Sequence, residues 1–194
     1  LLRRLENTKT HFMIYMARNC IKVRDDAYIN FLTVAPVHVA GKCPKRHSSD
    51  LVPPNIPSRE KRDQNPHLFS SYRFVLCMEN IMQDGYITEK ILHAFISGSV
   101  PIYYGTREIF EIFNHRAFVY YDPENPSKAI EQVRYLEQNR TAYEGVVKEQ
   151  IFRDGEQTLS SFFSLSRNVG METMRRKLQE KILQSPMMST RFGM

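Results

Sequence analysis

No stretch of this sequence approaches the ~18 consecutive apolar residues that a membrane-crossing helix needs. Its densest apolar run, residues 74–78, is closed off by Arg73 and Glu79 and has the length of a strand. The basic start at Arg3 and Arg4 is not followed by an apolar segment, so no signal peptide is read there. The chain opens Leu1-Leu2 without an initiator methionine and reads as a piece of a longer polypeptide. Cysteine is scarce: Cys20, Cys43 and Cys77 are odd in number and predict no complete disulfide framework. Cys43 and His47 have a C-x3-H spacing, but no second pair at ligand spacing follows, so they read as loop residues rather than zinc ligands. Cys77, inside the apolar run, reads as a buried small hydrophobe. Also missing are the Gly-x-Gly-x-x-Gly fingerprint and the P-loop, which disfavours a hydride-transfer Rossmann enzyme and a nucleoside triphosphatase. The histidines are scattered and form no local His-Asp-Ser set, and no internal repeat or low-complexity block occurs.

What is present is an ordinary globular composition. The chain has 194 residues, 42% hydrophobic and 25% charged, enough for one domain with a real core and a helical tail. A net charge of +6 suits nucleic acid, anionic membranes or phosphorylated ligands. The basic residues fall in short, scattered groups, and nowhere do a basic stripe and an aromatic platform coincide. A dedicated nucleic-acid module is therefore disfavoured.

Strand and helix patterns alternate. Residues 11–16 read as a strand and 24–32 as a helix, with Ala27, Tyr28, Phe31 and Leu32 on one face. Residues 34–40 read as a strand, at an edge or with a bulge because of Pro36. Residues 41–66 hold five prolines and read as irregular. Then follow a buried strand at 72–78, a polar loop at 79–86, a helix at 88–97 and a strand at 100–104. A short helix at 107–113, a strand at 117–121, and helices at 126–138 and 142–152 complete the domain. Amphipathic helices are expected over 159–165 and 171–183. The alternation predicts an α/β fold, a parallel sheet with helices on both faces. Residues 1–155 are assigned to the domain and 156–194 to a helical tail.

In such a sheet, ligands bind beyond the carboxyl ends of strands. The loop after residues 72–78 is the candidate place. Thr88 is expected to cap the following helix, leaving backbone N–H groups for an anion. Lys90 in the first turn opposes the helix dipole, a cost that an arriving anion would offset. Glu89 is suited to accept from sugar hydroxyls, and Tyr86 offers a hydroxyl and a flat face. Glu79 and Asn80 end the strand where polar groups are expensive. Arg24, opening the first helix, can hold phosphate bidentately.

The run Tyr72-Arg73-Phe74-Val75-Leu76-Cys77-Met78-Glu79-Asn80, followed by Gly85-Tyr86-Ile87-Thr88-Glu89-Lys90, closely resembles the signature of the α1,3-fucosyltransferase family. The continuation from Ala94 through Gly98, Val100 and Pro101 to Gly105 matches that family's A-x-x-x-G-x-[VI]-P-[IV]-x-x-G segment. Arg24 with Tyr28 is similar to an upstream R-x-x-x-Y element, and the strong match covers about residues 70–125. The resemblance implies the Rossmann-like, donor-binding half of a two-domain GT-B glycosyltransferase, with the N-terminal acceptor domain absent from this chain. It implies inverting transfer of L-fucose from GDP-fucose to a glycan hydroxyl, α1,3 to N-acetylglucosamine, in protein glycosylation. By the same resemblance Arg24 and Lys90 hold the leaving diphosphate. Asn80, Tyr86 and Glu89 contact phosphate, ribose or fucose, and Glu79 is assigned to the strand end. No cofactor and no obligatory metal are implied. The implied partners are GDP-fucose, an acceptor glycan or glycoprotein and the N-terminal domain of the same polypeptide, with no nucleic acid.

The general base belongs, by resemblance, to the N-terminal domain, and no residue of this chain is nominated for it. The family's paired C-terminal cysteines have no counterpart, since no cysteine follows Cys77. The lumenal side of the Golgi membrane is implied by resemblance, and the sequon Asn139-Arg140-Thr141 is compatible with it. Two other readings stay open: a domain using another GDP-sugar, and a non-catalytic module that binds nucleotide-sugar or glycan.

Overall fold

The computed structural model describes residues 4–5, 8–43 and 65–163. The readings for residues 44–64, His47 among them, and for a helix over 171–183 lie outside the described residues. The first compact unit, Leu1–Ile151, is built on one five-stranded sheet. Its strands are β1 (His11–Ala17), β2 (Val37–Gly41), β3 (Tyr72–Met78), β4 (Val100–Tyr104) and β5 (Val119–Tyr120), in the order β2-β1-β3-β4-β5. Every pairing is parallel, with Met13 opposite Phe74, Leu76 opposite Ile102, and Ile102 opposite Val119.

Side chains alternate across a strand. Tyr15, Phe74, Leu76, Ile102 and Tyr121 enter one core with Ala27, Tyr28 and Phe31 of α1 (Lys22–Phe31). The same core takes Ala129, Val133 and Leu136 of α5 (Pro126–Gln138) and Tyr143 of α6 (Arg140–Lys148). The opposite face carries Val75 and Cys77. There α2 (Asn65–Phe69) packs on α3 (Lys90–Ile96), and α3 packs on β3 and β4 through Ile91, Ala94 and Phe95. Burial on both faces is why β3 reads as a continuous apolar run.

Four local readings change. Asn65-Pro66 open α2 instead of closing an irregular segment, and proline suits a helix start because its missing N–H would be unpaired there. The strand expected at 117–121 shrinks to β5, although Ala117, Phe118 and Tyr121 remain buried. The helix expected at 107–113 is α4 (Ile109–Ile112). α6 starts before residue 142 because Asn139 Oδ1 accepts the Ala142 N–H at 2.9 Å, and it ends where Glu149 turns extended.

The cysteine reading is corrected. Cys20 and Cys43 form a disulfide, with Cα atoms 5.3 Å apart, and Cys77 is free and buried. Ala17 and Gly41 are register partners at the ends of β1 and β2, so the chain leaves both strands side by side. The Lys42 N–H donates to the Ala17 carbonyl at 3.0 Å. Gly41, at φ 98°, lies so close that any Cβ would overlap the Ala17 carbonyl oxygen. An odd cysteine count carries no information about this adjacency. The bond also removes Cys43 as a thiolate zinc ligand.

The second compact unit is Phe152–Met194. Its described part holds α7 (Glu156–Thr158) and a π-helical turn, Leu159–Phe163, with the rings of Phe152 and Phe163 5.5 Å apart.

Candidate functional site

β2 and β3 lie on opposite sides of β1. The connections leaving the carboxyl ends of β1 and β3 therefore diverge, which opens a crevice between them. A cleft of about 380 Å³ occupies this position. Arg18 and Asn19 line it from the end of β1, Arg24 from α1, and Asn80 from the end of β3. Tyr86, Thr88, Glu89 and Lys90 line it from the loop before α3 and from the start of that helix. Arg24, Asn80, Tyr86, Glu89 and Lys90, separated by up to 66 positions in sequence, thus share one cavity.

Arg24 is only 3% exposed. Its Nη1 donates to the Asn19 carbonyl and to Asn80 Oδ1, both at 3.1 Å. Its Nε is buried without a hydrogen-bond partner. Among the described residues no carboxylate forms an ion pair with it. A guanidinium held by neutral oxygens alone is an expensive arrangement, because a buried charge without a counter-charge forfeits its hydration.

Lys90 is in the opposite situation. Its Nζ donates to Glu79 Oε2 at 2.5 Å and to Thr88 Oγ1 at 3.0 Å. The Glu79 side chain is 0% exposed and that of Lys90 28%. The charge that opposes the α3 dipole is therefore already answered from within the chain. The expected cap is corrected too. Thr88 makes no cap to α3, whose N-cap residue is Glu89 with no side-chain hydrogen bond. Thr88 turns instead to Glu79, donating its N–H to Oε1 at 2.8 Å and placing its hydroxyl 2.9 Å from both carboxylate oxygens. A buried carboxylate draws these donors because its own desolvation is otherwise uncompensated.

Glu89 is exposed at the cleft, and Tyr86 and Asn80 are half-buried. Gly85, at φ 74°, makes the turn into Tyr86, and its N–H donates to Glu108 Oε2 at 2.5 Å. Burial pushes the Cys77 thiol well above its ordinary range, and the charge of Glu79 adds in the same direction. Cys77 is thus a wall of the cleft, not a nucleophile.

The sequence reading missed Arg18, Asn19, Asn65, Phe69 and His93, which also line the cleft. The Asn-Pro start of α2 was a usable signal for Asn65 and Phe69. Nothing in the local sequence distinguishes Arg18, Asn19 or His93. A second recess of about 640 Å³ beside β5, lined by Arg107, Tyr120 and Asp122 among others, holds none of the predicted residues.

Residues 6–149 match the family described as Glycosyltransferase family 10 (fucosyltransferase) C-term. The chain belongs to that family. Over 75 residues it is 41% identical to the alpha-(1,3)-fucosyltransferase FucT of Helicobacter pylori, covering 38% of this chain and 16% of that protein. Over 136 residues it is 32% identical to the GDP-fucose protein O-fucosyltransferase 3 of Danio rerio, covering 68% of this chain and 29% of that protein. A crystal structure of an alpha1,3-fucosyltransferase superimposes with a TM-score of 0.64 at 23% identity, covering 91% of this chain and 48% of the other. The same enzyme class solved with GDP-fucose gives 0.62 at 24% identity, covering 92% and 48%. This family 10 chain has the GT-B fold class of those structures, and it spans about half their length.

Proposed function

We propose that this chain binds GDP-fucose in the cleft at the ends of β1 and β3 and serves as the donor half of an inverting fucosyltransferase. The carrying observation is Arg24, buried in the cleft and, among the described residues, answered only by neutral oxygens. A diphosphate supplies the missing negative charge and matches the planar guanidinium. As the bond from fucose C1 to the diphosphate oxygen breaks, its electron pair passes to that oxygen and charge grows on the leaving group. Arg24 and Lys90 then interact more strongly with the departing diphosphate than with the bound donor, which lowers the barrier. Asn80, Tyr86 and Glu89 contact phosphate, ribose or fucose in this reading. Inversion needs a base at the acceptor hydroxyl, and no residue of this chain takes that role.

The acceptor is a glycan hydroxyl, in α1,3 linkage to N-acetylglucosamine, and the product belongs to protein glycosylation. The match to a protein O-fucosyltransferase favours a second reading, in which the acceptor is a hydroxyl of the protein itself. The Cys20–Cys43 disulfide and the sequon at Asn139 support a location on the lumenal side of the Golgi membrane, since disulfides persist in oxidising compartments.

Calorimetric titration of the chain with GDP-fucose, GDP-mannose and GDP tests the reading. Binding should prefer the fucose donor, and Arg24→Ala should weaken it by roughly tenfold or more, the scale of a lost buried charged hydrogen bond. Lys90→Ala should weaken it less, because Glu79 already neutralises that side chain. A folded chain that binds no GDP-nucleotide, or binds equally well after both substitutions, overturns the proposal.

A further inference from the structure

We propose that Glu79 is a positioning residue of the donor site: its buried carboxylate fixes Lys90 in place rather than merely cancelling its charge. The inference rests on the donor-binding reading above. Glu79 does not line the cleft, yet it controls what does. Its N–H is tied to the Tyr104 carbonyl at 2.8 Å, which locks the end of β3 to the end of β4. Its side chain, fully buried, receives the Thr88 N–H, the Thr88 hydroxyl and the Lys90 ammonium.

Donor counting gives the functional consequence. The Thr88 hydroxyl has one hydrogen and spends it on Glu79, so toward Lys90 it acts as acceptor at 3.0 Å. An ammonium has three hydrogens. Lys90 directs one to Glu79 and one to Thr88, and the third is left for a ligand in the cleft that Lys90 lines. A lysine has a four-carbon stem with many rotamers, and ordering it at the moment of binding weakens affinity. Here the ordering is complete before the ligand arrives. The neighbouring residue does the same for the other cation, since Asn80 holds Arg24. Consecutive residues at the end of β3 thus set two positive groups of the cleft, Arg24 and Lys90.

Positioning and neutralisation predict opposite signs. A carboxylate beside the diphosphate repels it, so if Glu79 only neutralised Lys90, removing its charge would tighten GDP binding. If Glu79 positions Lys90, the same change weakens binding. Glu79→Gln retains the shape and an acceptor for Thr88 while removing the charge. Titration of the full chain with GDP should show Glu79→Gln binding several-fold more weakly than wild type, by no more than the loss that Lys90→Ala causes, within the range of coupling between residues in one network. In a Lys90→Ala background the Glu79→Gln change should have no further effect. Thr88→Val, which keeps the carboxylate, should weaken GDP binding by a few-fold, again only when Lys90 is present. It serves as the test should Glu79→Gln fail to fold. Tighter or unchanged binding by Glu79→Gln, or an equal loss with and without Lys90, overturns the inference. Absence of GDP binding by the wild-type chain defeats the donor reading instead, so the two failures are distinct.

Discussion

Arg24 and Lys90 carry the same charge in the same cleft under opposite conditions. One is buried against neutral oxygens, and the other is paired with a buried carboxylate 2.5 Å away. Of the two, Arg24 carries the charge less answered from within the described residues. The identities of both residues were legible in the sequence, but this difference was not, because it depends on Glu79 turning inward from a strand end. A third cation, Lys9, is structural. Its Nζ donates to the Ser97 carbonyl at the end of α3 at 2.6 Å and to the Ser70 carbonyl at 2.8 Å. Burial, with the charge of Arg4 adding, brings its pKa from the ordinary 10.5 down to about 8. Between these values the unfolded chain binds more protons than the folded one, so the contribution of Lys9 to stability rises with pH through that window. Below it, the cost of holding the buried ammonium is fully present. Urea unfolding of wild type and Lys9→Met from about pH 7 to about pH 10 checks the sign. The stability difference, wild type minus variant, should grow with pH, and a flat or falling difference refutes the assignment.

At the scale of elements, the carboxyl ends of β1 and β2 are clamped together. The Cys20–Cys43 bond, the Lys42 N–H to the Ala17 carbonyl, and the tight approach of Gly41 join the segments that leave these strands. Asn19, whose carbonyl holds Arg24, lies in the clamped segment next to Cys20. Replacing both cysteines by serine should lower stability by about 2–4 kcal/mol, the usual contribution of a bond closing a loop of this order. It should also weaken GDP-fucose binding by a few-fold, because the carbonyl that fixes Arg24 is loosened. Thermal melts and calorimetry on the double variant read both effects. Unchanged affinity in a destabilised variant would confine the bond to a folding role. The elements themselves were readable where apolar periodicity is strong, as in β3 and α5. β5 was read too long and α2 was not read at all: the first is a buried segment with little ladder pairing, and the second has only five residues.

At the scale of the whole molecule, the chain corresponds to about half of the solved fucosyltransferases that it resembles. In the proposed reading it holds the donor and stabilises the leaving group, while the acceptor hydroxyl and its base are supplied by another domain. The purified chain should therefore bind GDP-fucose and transfer it to N-acetylglucosamine acceptors poorly or not at all. Radiolabelled transfer assays check this, and robust turnover would place the base within these residues.

The fold class, and Asn80, Tyr86, Glu89 and Lys90 as residues of one cleft, were legible in the sequence because they depend on local order. A continuous apolar strand, a polar loop and a helix start within residues 72–96 imply a βα unit of a parallel sheet, and ligand-binding side chains follow its carboxyl end. The partnerships were decided only by the tertiary structure. Strand order sets Cys20 beside Cys43, brings Arg24 within 3.1 Å of Asn80 across 56 positions, and sinks Glu79 beneath Lys90. Periodicity reports which face a residue takes along its own element. It carries no information about which neighbour the sheet places opposite, and the charge balance of the cleft depends on that neighbour.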